Sequence, residues 1–270
     1  MIIRIISSLI GLPLVLAILI LGTPTIVYSF FVVIQFLVAL EIMRIYVEDP
    51  KRGTQDFLGF ARGDWARALA STMAFIVLLL SQPEGLLARL SFFLCSVALF
   101  SALLPGTMEQ RSRSAQSTIL GMVYALLPWL MIASLYEKAE NERFIILLLS
   151  MAWAGDTAAY FAGRTWGRRP MAPKISPKKT WEGALAGFIA SCLAAWIVSM
   201  VYNNELGEPL FMIGVGATCA VFGQMGDLFK SVFKRQRGVK DSGRLMPGHG
   251  GLLDRMDSAL MAAPVLNLFF

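Results

Sequence analysis

Residues 209–230 read PLFMIGVGATCAVFGQMGDLFK, and this run decides what kind of molecule the chain is. As a helix it is long enough to cross the roughly 30 Å hydrocarbon core of a bilayer, and its first charge is Asp227. The sequence then changes character at once, to SVFKRQRGVKDSGRLMPGHGGLLDRMD over residues 231–257. From Lys230 to Asp257 it gathers seven basic residues, three carboxylates and the chain's only histidine, His249, before the last apolar run begins. Charge held at the mouth of apolar helices is expensive and marks a functional site by default. Basic groups, spaced carboxylates and flanking glycines together point to phosphates held with a divalent cation.

The rest of the chain extends the pattern of residues 209–230. Apolar residues make up 56% of the 270 positions and charged residues only 16%, against about a quarter charged in soluble domains. Mean hydropathy is +0.64. The expected fold is an all-α, polytopic membrane helix bundle with about nine spans, near 2–22, 24–46, 66–82, 86–104, 116–136, 143–163, 182–202, 209–230 and 252–270. The first run lacks a small-residue cleavage site, so a retained helix is expected there. With the N-terminus inside, 21 of the 24 basic residues fall on the cytoplasmic side, and only Arg89, Lys138 and Arg143 fall outside. Residues 1–140 then form a scaffold, and residues 141–270 a catalytic region with two cytoplasmic motif loops. Placement of the +6 net charge on one membrane face argues against nucleic acid as its partner. Cys95, Cys192 and Cys219 all lie in apolar runs and read as small core residues.

Asp254 and Asp257 are spaced i, i+3 at the start of the last run, which puts both on one helix face. Two like charges so placed need a cation, and Asp227, at the end of the preceding run, can meet them from the next helix. Mg²⁺ suits such carboxylates; the alternative is that they are acids favoured at a helix N-terminus. Asp156 lies deep in its run and is expected to face the bundle interior or a water-filled cavity. The segment from Gly163 to Gly183 carries Arg164, Arg168, Arg169, Lys174, Lys178 and Lys179, stiffened by prolines, and leads into a helix start at Thr180-Trp181-Glu182-Gly183. It can clamp a triphosphate or simply attract anionic headgroups. His249, between glycines, reads as a phosphate-contacting or positioning group, because a phosphate nucleophile needs no base.

At these residues the sequence resembles the bacterial phosphatidate cytidylyltransferases, or CDP-diacylglycerol synthases. The resemblance rests on Ser231-x-Phe233-Lys234-Arg235-x₄-Lys240-Asp241-x-Gly243-x₃-Pro247-x-His249-Gly250-Gly251-x₂-Asp254-Arg255-x-Asp257, and on Ile175-Ser176-Pro177-Lys178-Lys179-Thr180-x-Glu182-Gly183. It covers the chain from about residue 150 onward. Lys230 departs from it, standing where the family is expected to carry an acid. The resemblance implies transfer of the cytidylyl group of CTP to phosphatidic acid with Mg²⁺, in the bacterial inner membrane, by a homodimer. It implies metal binding by Asp227, Asp254 and Asp257, with Lys240 beside them in catalysis. Lys174, Ser176, Lys178 and Lys179 are expected on the β- and γ-phosphates. Lys234, Arg235, Lys240, Arg255 and His249 are expected on the lipid phosphate or leaving group. A cation or metabolite transporter, whose acids would be spread through the membrane depth, and another lipid phosphotransferase are the alternatives.

Overall fold

The computed structural model describes residues 2–46, 62–80, 90, 93–97, 107–138, 142–243, 245 and 250–270. Its elements are α1 (Ile2–Leu21), α2 (Pro24–Tyr46), α3 (Arg62–Leu79), α4 (Met108–Lys138), α5 (Arg143–Thr165), β1 (Pro170–Ala172), β2 (Ser176–Thr180), α6 (Trp181–Val201), α7 (Pro209–Gln236) and α8 (Leu253–Asn267). The expected nine spans are corrected to five. Among the described residues, only α2, α4, α5, α6 and α7 are long and apolar enough to cross a membrane. The last expected span is a 15-residue helix, shorter than the roughly 20 residues a crossing needs. The third is an 18-residue helix that begins with Arg62, Asp64 and Arg67. The first forms α1, most of whose early side chains lie outside the described residues, and the fourth lies largely outside them too. Charge content and length, not apolarity alone, separate a span from a short core helix.

The chain divides into two compact units: Met1–Ala133 with Val239–Asp254, and Ser134–Gly238 with Arg255–Phe270. In the first, α2 supplies a continuous core of Val38, Ala39, Leu40, Ile42 and Met43, all without exposed surface. Gln35 is equally buried. Its Nε2 donates to Ser71 Oγ at 3.0 Å and to the Ala125 carbonyl at 3.1 Å, and its Oε1 accepts from Thr72 Oγ1 at 2.7 Å. That group ties α2, α3 and α4 in one register, as polar side chains do between membrane helices.

The second unit packs α5 on α6 and α6 on α7. Small residues let the backbones approach: a Cβ on Gly187 would stand 2.8 Å from the Gly155 carbonyl oxygen. Gly187→Val is therefore expected to lower stability by about 1–3 kcal/mol through overpacking, measured as denaturation in detergent. At one end of this unit Arg143 pairs with Glu205, Lys138 Nζ donates to Asn267 Oδ1 at 2.8 Å, and Phe144 meets Phe270. At the other end, the segment between α5 and α6 is an antiparallel hairpin, Pro170 opposite Thr180 and Ala172 opposite Ser176. So the described chain is not purely helical. The turn closes with Ile175 N–H donating to the Ala172 carbonyl at 3.1 Å, and Pro173 has the fixed φ that its second position favours. Thr180 caps α6 as expected, its Oγ1 accepting from Gly183 N–H at 3.2 Å. Glu182 Oε2 accepts the Arg168 and Arg169 N–H groups at 3.1 and 3.2 Å, which pins the hairpin to the helix start.

Candidate active site

Within the second unit, α5, α7, α8 and the hairpin bring ionic side chains together at the hairpin end. Lys230 on α7 and Asp257 on α8 are each only 2% exposed. The Lys230 ammonium pairs with Asp257 Oδ2 and lies 3.6 Å from Asp227 Oδ1. Asp227, one helical turn before Lys230, also receives Lys179 Nζ from β2, at 2.6 Å. Asp257 Oδ1 accepts the Ser258 N–H at 2.9 Å, and the Ser258 hydroxyl donates to Asp156 on α5 at 3.0 Å. Ionic groups this buried each cost several kcal/mol of desolvation, offset here by ammoniums on Asp227 and Asp257 and by the Ser258 hydroxyl on Asp156. Three carboxylates against two ammoniums leave a formal negative charge.

Asp156, as expected, lines a cavity, of about 30 Å³, whose otherwise mostly apolar walls include Ser191, Gln224 and Ser258. Arg235 Nε donates to the Ile175 carbonyl at 3.0 Å, so the end of α7 is fastened to the hairpin turn. Lys174 and Lys178 are exposed on that hairpin, Ser176 is half-buried, Lys234 is half-buried on α7, and Arg235 and Arg255 are exposed. Lys179, expected on phosphate, is here the partner of Asp227.

Asp254 and Lys240 fall in the first unit. Asp254 Oδ2 accepts from Ser242 N–H at 2.8 Å, Ser242 Oγ at 3.0 Å and Gly251 N–H at 3.3 Å. That is the behaviour of an acid holding a helix start. His249 lies outside the described residues. Among the described residues no three His, Cys, Asp or Glu groups are gathered as a metal centre; Asp227 and Asp257 belong to the second unit and Asp254 to the first. Asp227 and Asp257, however, share a cation, the Lys230 ammonium. Two carboxylates completed by substrate phosphates and water is the usual way Mg²⁺ is held at phosphate-transferring sites, so this pair fits that ion.

Two buried ionic residues are invisible to motif spacing. Lys230 reads in sequence as a departure, yet it bridges the carboxylates. Glu41 has no exposed surface, and Ser242 Oγ donates to it at 2.7 Å. The signal for Glu41 was available, since it is an acid within an apolar run.

The sequence matches the cytidylyltransferase family profile over residues 2–270, so the likeness takes in the N-terminal half as well as the region from residue 150. It is 34% identical over 205 residues to the phosphatidate cytidylyltransferase of Staphylococcus epidermidis, covering 74% of this chain and 77% of that protein. To the phosphatidate cytidylyltransferase of Rickettsia bellii it is 32% identical over 180 residues, 65% of this chain and 78% of the other. To that of Haemophilus influenzae it is 39% identical over 160 residues, 58% and 55% of the two chains.

Proposed function

This chain belongs to the cytidylyltransferase family, and on that premise we propose that it transfers the cytidylyl group of CTP to phosphatidic acid, releasing pyrophosphate and forming CDP-diacylglycerol. The relatives bearing the name phosphatidate cytidylyltransferase support the reaction. The observation that carries the site is the Asp227–Lys230–Asp257 cluster, with Lys230 and Asp257 buried and Asp227 half-buried, reached by Lys179 from a basic hairpin.

Both reactants are anions, so catalysis rests on neutralising and aligning them. An oxygen of the lipid phosphate forms a bond to the α-phosphorus of CTP, and the bond to pyrophosphate breaks in line. The nucleophile is already ionised, so no side chain need remove a proton. Asp227 and Asp257 would hold Mg²⁺, which when bound neutralises charge on the phosphates. Lys230 keeps the two carboxylates facing each other. Lys174 and Lys178, exposed on the hairpin, bind the β- and γ-phosphates, with Ser176 and Lys179 beside them. Lys234, Arg235, Lys240, Arg255 and His249 are assigned to the lipid phosphate or leaving group, and Asp254 to the same apparatus. The hairpin end faces the cytoplasm: it bears Arg164, Arg168, Arg169, Lys174, Lys178 and Lys179, against Lys138 and Arg143 at the other end. The enzyme sits in the bacterial inner membrane as a homodimer, with the acyl chains of its substrate left in the bilayer.

Purified protein given labelled CTP, phosphatidic acid and Mg²⁺ is expected to make CDP-diacylglycerol, and a chelator to stop it. Synthesis that ignores the chelator would remove the metal; ion flux in vesicles without any transfer would favour a transporter. Lys174→Ala and Lys178→Ala are each expected to raise the KM for CTP about tenfold or more, the worth of a hydrogen bond to a charged group, with kcat little changed. Unchanged KM in both would take the hairpin out of CTP binding.

A further inference from the structure

Ser242, Gly243 and Gly251–Asp254 belong to the same compact unit as α2, and they close around one side chain of that helix. Leu252 N–H donates to Glu41 Oε1 at 3.0 Å, and Leu253 N–H to Oε2 at 2.8 Å. The Ser242 hydroxyl lies 2.7 Å from Glu41 Oε2 and 3.0 Å from Asp254 Oδ2, one proton between two carboxylates. A turn further along α2, Arg44 Nη1 donates to the Ser242 carbonyl at 3.4 Å. A Cβ at Gly243 would overlap the Glu41 carboxylate, and one at Gly251 would overlap both that carboxylate and Ser242 Oγ. Two glycines of the motif are thus explained by a residue some two hundred positions away.

We infer that Glu41 is a positioning residue for the reaction, seating the first turn of α8 and, through Ser242, fixing the Asp254 carboxylate. The inference rests on the assignment of Asp254 to the catalytic apparatus. Backbone N–H groups at a helix start have no partner within the helix, and an acidic acceptor there is favoured by the helix dipole. An ordinary cap would come from the local chain. Here the acceptor is supplied by a membrane helix, without exposed surface, where an unmet carboxylate is not tolerated. Its two oxygens are shared among backbone donors and the one hydroxyl that also touches Asp254. Glutamine cannot replace it: whichever way the amide turns, its NH₂ meets a donor at Leu252 or Leu253.

The test compares Glu41→Gln, Asp254→Asn, Ser242→Ala and Gln35→Leu in the full chain, by labelled-CTP kinetics and thermal unfolding in detergent. Gln35 is the structural control, a buried hydrogen-bonded amide on the same helix. Glu41→Gln is expected to lower kcat by about 10- to 100-fold, the range for outer residues that orient a reactive carboxylate. Its KM for CTP should stay within about twofold. Gln35→Leu should lose stability yet hold kcat within about twofold. In the Ser242→Ala background Glu41→Gln should cost less than alone, since the two share one contact. Should Glu41→Gln fail to accumulate, Ser242→Ala alone is expected to lower kcat by about tenfold. Glu41→Gln with near-normal kcat beside an inactive Asp254→Asn would overturn the inference, as would an equal kcat loss in Gln35→Leu. Full activity in Asp254→Asn would instead overturn the assignment of Asp254 itself.

Discussion

Asp257→Asn is expected to cut CDP-diacylglycerol synthesis by about a hundredfold or more and to destabilise the protein by about 3–5 kcal/mol, the cost of breaking a buried ion pair from one side. Asparagine keeps an oxygen for the Ser258 N–H, which Asp257 Oδ1 accepts at 2.9 Å, so local helix geometry survives. What is lost is the charge nearest Lys230, whose ammonium lies 3.6 Å from Asp227. Stability and catalysis can be separated, because replacing both members of a buried pair by apolar groups is often neutral or better. The double variant Lys230→Met, Asp257→Leu is therefore expected to recover to within about 1 kcal/mol of the parent while synthesis stays absent. Denaturation in detergent and the labelled-CTP assay read the two quantities independently. Synthesis restored in the double variant would show that the cluster serves only folding.

Lys230→Met alone carries the second large effect, and its sign depends on the ion supplied. With the ammonium gone, Lys179 on Asp227 is the cation left in the described cluster, while Asp156 and Asp257 keep the Ser258 hydroxyl and N–H. In chelator the variant should lose about 3–5 kcal/mol. Mg²⁺ at a hundred times its Kd should return about 2.7 kcal/mol, so the melting temperature becomes strongly Mg²⁺-dependent. The parent, whose cluster already contains a cation, should shift less. Equal melting temperatures for Lys230→Met with chelator and with Mg²⁺ would mean that no divalent ion can take that place. Lys230→Glu puts back the acid expected at this position and should steepen the dependence further.

How far the sequence could be read follows from how local each signal is. Thr180 as a helix cap needs only its three following residues, and it stands where expected. Asp156, an acid in an apolar run, does line a cavity. Spans were overcounted because an apolar run does not show where its helix stops: α8 is 15 residues long and opens with Asp254, Arg255 and Asp257, too short and too charged at its start to cross. The hairpin was hidden because strands of three and five residues are too short to show alternation, and their prolines read as a stiff loop. The i, i+3 spacing of Asp254 and Asp257 correctly suggested a shared helix, but spacing cannot say whether Ser242 or Lys230 is the nearer partner. Glu41 stood out locally as an acid in an apolar run, but its partners lie some two hundred positions away, beyond anything spacing could connect.

That separation matters during synthesis. Glu41 and Ser242 are 201 residues apart, and at about 5–20 residues per second a ribosome needs about 10–40 s to make that stretch. For that interval an acid has been delivered to the bilayer before the peptide groups that will neutralise it exist. Nascent chains stopped short of Leu253 would be stranded in that state, so C-terminal truncation should leave a product that the cell's proteases clear rather than a stable fragment.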